Sequence, residues 1–156
     1  MVHGGYAHTD QAHLRRLPGV FEMNGGVIEN NRATRGGGIF LSGGLSGPNP
    51  SYFGGQGAEI TLGSGTFVRD NLATYGGGIY GDSPTGYGQA AGGASSLTLL
   101  ADSTIERNRA QFGGGVNMNN SIFDMDGGVI RNNRYSLTAP VALCQGHFYI
   151  FNEKVI

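Results

Sequence analysis

The sequence predicts an all-β fold, a solenoid of about four to five turns with three short strands in each turn. Three observations point there. An asparagine followed by a glycine triplet recurs along the chain. Thirty of the 156 residues are glycine, far above the usual share of roughly 7%. Short β-favouring stretches alternate apolar and polar residues, while the glycines and β-branched residues would make poor helices.

Four segments align on an asparagine: VFEMNGGVIENNRATRGGGIF (20–40), TLGSGTFVRDNLATYGGGIY (61–80), LADSTIERNRAQFGGGVNM (100–118) and IFDMDGGVIRNNRYSLTAPVAL (122–143). Ile28, Val68, Ile105 and Ile130 share one apolar column, and Asn31, Asn71, Asn108 and Asn133 share the next polar one. Ala33, Ala73 and Ala110 follow, with Tyr135 breaking the series. Ile39, Ile79, Val116 and Val141 close the unit.

The intervals between these asparagines are unequal. Asn31 to Asn71 is the longest, Asn71 to Asn108 is slightly shorter, and Asn108 to Asn133 is much the shortest. If the shortest is the bare unit, the first two intervals carry insertions, near 43–58 and 81–96. Both follow the triple-glycine strand. The domain then divides into an irregular capping segment, 1–19, and a repeat region, 20–156. AHTDQAHLRRLPG offers a short helical cap. Phe123 and Met125 recur one bare unit later as Phe148 and Ile150, which predicts an incomplete further turn with an apolar edge. Such an edge predicts self-association through the solenoid ends.

Within a turn, Phe21 and Met23 are expected inward and Glu22 outward, then Ile39 and Leu41 inward and Phe40 outward. The asparagine column predicts an inward amide ladder, because an amide both donates and accepts. Glu29, Arg69, Glu106 and Arg131 alternate in sign and predict an outward ion-pair ladder that favours correct register. The glycine triplets predict sharp corners where backbones approach closely.

Ten basic and eleven acidic residues give a net charge of −1, and Lys154 is the only lysine. Phosphate binding needs clustered cations, so nucleic acid is not an expected partner. The single cysteine, Cys144, cannot form an intrachain disulfide and reads as a small buried hydrophobe. No apolar run reaches membrane-spanning length, and MVHGGYAHTDQAHLRR lacks a signal peptide's apolar centre. Direct membrane insertion is not expected. Either the chain is not exported by that route, or it is a piece of something longer.

Several motifs invite chemistry. Gly76-Gly77-Gly78-Ile79-Tyr80-Gly81 fits G-x-G-x-x-G, but a dinucleotide site needs those glycines to open a helix, whereas here they precede a strand. Gly54 to Ile60 resembles one calcium-binding nonapeptide without the tandem copies such sites require. His3, His8 and His13 lack the spacing of helical metal ligands. No metal or cofactor is therefore expected. Asn119-Asn120-Ser121 is a glycosylation sequon.

Asp124 and Asp126 flank an inward Met125 and so share an outer face about 7 Å apart, within the range of an inverting glycosidase pair. A solvated Asp before a Gly-Gly turn is the simpler reading. Tyr52, Phe53 and Tyr87 lie in the two insertions, where they would stack on sugar rings, anchor a partner or pack their own loops.

The order Ile28-Glu-Asn-Asn31 then Gly36-Gly37-Gly38-Ile39, with its copies at Val68 to Ile79 and Ile105 to Val116, resembles the repeat of polymorphic outer membrane proteins. It also looks like related glycine- and asparagine-rich repeats of bacterial surface proteins. The resemblance covers roughly residues 20 to 143, and the fourth copy matches only through Ile130-Arg-Asn-Asn133. Ile or Val stands for the family's Phe, and the third Gly for its Ala. The resemblance implies a right-handed parallel β-helix of pectin-lyase-like type in a secreted or surface-exposed passenger, often concerned with adhesion.

Two functions are therefore expected. The first is a non-enzymatic extracellular or surface module, structural or adhesive, engaging a host glycan or protein through projecting loops. The alternative is a carbohydrate-active lyase or hydrolase on the same scaffold, using Asp124 and Asp126.

Overall fold

In a parallel stack, residues one repeat apart lie side by side, so an apolar column in sequence becomes a stripe of core. The computed structural model describes residues 2–3, 18–43, 57–83, 93–135 and 147–150. These residues are all-β, with sixteen strands in four sheets and no helix among them.

The first repeat supplies β2 (Val20–Met23), β3 (Gly26–Glu29) and β4 (Ile39–Ser42), after a short β1 (Val2–His3). The second supplies β5 (Glu59–Leu62), β6 (Thr66–Arg69), β7 (Leu72–Tyr75) and β8 (Ile79–Asp82). The third supplies β9 (Ser96–Leu100), β10 (Thr104–Glu106), β11 (Arg109–Phe112) and β12 (Val116–Asn119). The fourth supplies β13 (Ile122–Asp126), β14 (Val129–Arg131) and β15 (Arg134–Tyr135), and β16 (His147–Ile150) comes last.

Sheet I runs β2-β5-β9-β13, sheet II β3-β6-β10-β14, sheet III β7-β11-β15 and sheet IV β1-β4-β8-β12-β16. All pairs are parallel except β12 with β16. Register follows the repeat: Ile28 pairs Val68, Val68 pairs Ile105, and Ile105 pairs Ile130.

The core lies between the sheets. Sheet I contributes Ile60, Leu62, Leu97 and Leu99, sheet II Val68 and Ile105, and sheet IV Leu41, Ile79 and Val116, all essentially without exposure. Each such side chain stabilises the fold by about 1.5–3 kcal/mol relative to leaving it in water. Phe21, Met23 and Phe123 pack against this core from the outermost rungs of sheet I. In the column Leu41, Gly81, Met118, the missing side chain of Gly81 leaves room for the thioether of Met118.

Three features depart from the expectations. Each full repeat holds four strand positions rather than three. The extra one is sheet III, extended to the first repeat by bridges from Arg32 to Leu72 and from Arg35 to Tyr75. The one buried residue in each of its longer strands is a small alanine, Ala73 or Ala110, so no apolar alternation announced it. Next, Phe148 and Ile150 do not continue the column of Phe123 and Met125. They lie on β16, antiparallel to β12, opposite Met118 and Val116. Finally, part of the segment 1–19 is ordered as β1, which pairs Val2 with Leu41 and His3 with Ser42. Val141, Cys144 and most of AHTDQAHLRRLPG fall outside the described residues.

Both insertions leave from paired positions, Ser42 and Asp82, and both return at paired positions, Glu59 and Ser96. Their roots are therefore neighbours. The Ser95 N–H donates to Ser83 Oγ at 2.8 Å, and the Ala58 N–H donates to Ser95 Oγ at 3.2 Å, which pins those roots together.

Candidate binding groove

Between sheets II and III the chain turns through one residue in the left-handed region: Asn30, Asp70, Arg107 and Asn132, with φ of 59°, 54°, 54° and 54°. Asn and Asp tolerate this conformation because their short polar side chains bond locally. Arg107 lacks that compensation.

The next residue of each repeat is the column asparagine, pointing inward. Asn71, Asn108 and Asn133 are buried. The Oδ1 of Asn71 accepts from the backbone N–H and the Nδ2 of Asn31, both at 3.0 Å. Asn108 and Asn133 repeat the arrangement one rung on. Each Nδ2 also donates back to the preceding repeat: Asn71 to Ile28, Asn108 to Val68 and Asn133 to Ile105 carbonyls. Burial and pairing of Asn71, Asn108 and Asn133 make this column a structural spine, with Asn31 at its exposed end.

The residue after each asparagine points outward again. This column reads Arg32, Leu72, Arg109, Arg134. Together with the left-handed corner it forms a groove of about 650 Å³ lined by Asp70, Asn71, Leu72, Arg107, Arg109, Asn132 and Arg134.

The groove's arginines differ in what they bind. Arg107 grips Asp70 through Nε to Oδ1 at 3.0 Å and Nη2 to Oδ2 at 2.8 Å, and its Nη1 also reaches Glu106. That hydrogen bonding holds the Asp70 carboxyl below its usual value, with the charges of Arg107, Arg69 and Arg109 acting the same way against partial burial. Asp70 and Glu106 in turn raise the pKa of Arg107. Arg109 and Arg134 make no ion pair among the described residues, although they are direct Cα partners on adjacent strands. Like charges directly opposite one another destabilise a sheet. Three arginines against the single carboxylate of Asp70 leave the groove net positive.

The charged column beside the groove resolves into two pairs. Arg69 Nε meets Glu29 Oε2 at 2.7 Å, and Arg131 Nε meets Glu106 Oε2 at 2.8 Å. No ion pair joins Arg69 to Glu106 among the described residues. Glu106 turns instead to Arg107, and its side chain is only 5% exposed. The expected outward ladder is thus interrupted in the middle.

Between sheets III and IV stands an outward aromatic cluster. Phe40 stacks on Tyr80 at 5.6 Å, Tyr75 on Phe112 at 4.9 Å, and the Arg35 guanidinium lies 5.8 Å from the Tyr80 ring centre. Burial raises the Tyr80 phenol pKa, with Asp82 adding to it.

The sequence-derived candidates are placed elsewhere. Asp124 and Asp126 stand exposed on β13, the last strand of sheet I, and neither lines the groove. Tyr52, Phe53 and Tyr87 fall outside the described residues, as do His8 and His13. No cluster of three or more metal-binding side chains occurs among the described residues, nor does any helix long and apolar enough to cross a membrane. Gly76 to Gly78 lead into β8, a strand. In the sequon, Asn119 donates its Nδ2 to Asp82 Oδ1 at 2.9 Å.

The groove escaped the sequence reading for want of one more column. Arginine follows the aligned asparagine in three of four copies, as Arg32, Arg109 and Arg134. That recurrence is visible without a structure.

Known proteins add no identity. No family model matches the chain. No curated protein and no solved structure matches it significantly either.

Proposed function

We propose that the chain is a single right-handed parallel β-helix serving as a non-enzymatic module, structural or adhesive, displayed at a bacterial surface and engaging a glycan or protein partner. Four sheets of mostly parallel strands that recur in fixed order support the helical part of this reading. One observation carries the binding part. Arg109 and Arg134 are direct strand partners in the lining of an open groove, and neither makes an ion pair among the described residues. Stacked like charges cost stability, and a ligand that neutralises them gives the arrangement a use.

The carbohydrate-active alternative rests on Asp124 and Asp126. General acid–base work needs such groups within reach of a bound substrate, and these lie outside the groove. The test is to incubate the protein with a panel of soluble glycans and follow retention and product release together. Retention without product is expected. Product release abolished by Asp124→Asn would overturn the reading.

A further inference from the structure

The groove also carries information about its ligand. We infer that it binds a linear acidic polysaccharide, one carboxylate or sulfate group being held by each of Arg109 and Arg134. This rests on the binding-module reading and adds the chemical class of the partner.

The two arginines themselves select an anion. A guanidinium presents a planar fork that matches carboxylate and sulfate oxygens in a bidentate manner. Arg107 is already occupied by Asp70 and Glu106, which leaves Arg109 and Arg134 as the groove cations open to a ligand. They are paired across adjacent parallel strands, so their backbones stand about 4.8 Å apart. Anionic groups repeating at a similar short interval along an extended chain would meet both at once. Avidity then comes from rigid spacing rather than from high charge.

The remaining lining fits a sugar better than a nucleic acid. Asn132 is exposed beside the two arginines and offers an amide that donates to and accepts from hydroxyls. Leu72 supplies an apolar patch on the same column. Non-specific binding of single-stranded nucleic acid combines a longer cationic track with aromatic stacking platforms. The groove lining contains no aromatic residue among the described residues.

Arg109→Glu provides a test that separates binding from folding. It replaces a like-charge stack by an opposite-charge pair with Arg134, so thermal stability should hold or rise. Retention on immobilised polymer at low salt is measured for a polyuronate, a sulfated glycan, a neutral glycan and single-stranded oligothymidylate. The polyuronate and sulfated arms distinguish carboxylate from sulfate as the preferred anion. Wild-type protein should bind at least one of them in a salt-sensitive way. Arg109→Glu and Arg134→Gln should each weaken that binding about tenfold or more, while Arg35→Gln, outside the groove, leaves it unchanged. Equal retention of the neutral glycan, tighter retention of oligothymidylate, or undiminished binding by a folded Arg109→Glu protein would overturn the inference. Soluble product is scored separately and bears only on the non-enzymatic reading.

Discussion

A β-carbon built on Gly78 would lie 2.9 Å from Nδ2 of Asn108, in the next repeat. The same relation joins Gly38 to Asn71 at 3.1 Å and Gly115 to Asn133 at 2.8 Å. The last glycine of each triplet therefore clears the space that the asparagine amide occupies. The two motifs recur together because neither fits without the other. The first glycine has a different task. Gly36, Gly76 and Gly113 take φ of 58°, 60° and 64° to turn the corner.

Gly78→Ala should destabilise the protein by about 1–3 kcal/mol through contact alone, because it displaces the Asn108 amide and the Gly115 carbonyl. Gly65→Ala is the informative comparison. Gly65 has φ of +72° but open space around it, its nearest neighbour being Gly25 Cα at 3.7 Å. It should cost about 1–2 kcal/mol from backbone conformation. Denaturant unfolding of both variants measures the difference, and a strain-free Gly78→Ala would refute the coupling.

The asparagine column should be energetically uneven. Asn108→Ala removes an acceptor of two bonds and a donor of two more, all buried. It strands Asn71 donors and the Val68 carbonyl, at a cost of about 3 kcal/mol or more. Asn31→Ala loses one side-chain bond at an exposed end, for about 1 kcal/mol. Similar losses at both positions, measured by urea melts, would show that the column does not act as a buried spine.

Asp70 predicts an acid-side dependence. Its folded pKa lies below the ordinary 3.8 because Arg107 bonds the ionised form. Stabilisation from the pair is therefore complete above about pH 4. It is lost as pH falls through the depressed folded value. Because the pair is well exposed to solvent, the effect should be modest and salt-sensitive. Stability curves of wild type and Asp70→Asn should run parallel above that pH and converge below it. A constant gap persisting into strong acid would contradict the assignment.

Removing residues 136–156 would strip β16 from β12. The unpaired backbone edge of Val116–Asn119 would then be open to another chain. Sedimentation should show concentration-dependent association of the truncated protein exceeding that of the full chain. Equal behaviour would mean that β16 does not shield this edge.

The register of the stack was legible because recurrence fixes which residues become neighbours: Ile28 beside Val68, Ile39 beside Ile79. The direction of the last strand was not. An alternating apolar pattern reads the same forwards and backwards, so Phe148 and Ile150 fitted a parallel continuation as well as the antiparallel pairing they adopt. Sheet III stayed hidden because Ala73 and Ala110 are too small to mark an apolar face. The groove stayed hidden for another reason. Arg109 and Arg134 recur in register as Ile105 and Ile130 do, but Leu72 interrupts their column, so it carries no uniform chemical pattern along the chain.

The asparagine column has a chemical direction. Each amide oxygen receives from the repeat before it, so Asn31 ends the series with an oxygen that no described donor reaches, and Asn133 ends it with an amide that meets no further asparagine among the described residues. A duplicated unit placed between them would meet the same donor on one side and the same acceptor on the other. Length is thus a free variable of this architecture. A gene encoding it can grow or shrink by whole units, and every join would be chemically identical to those already present.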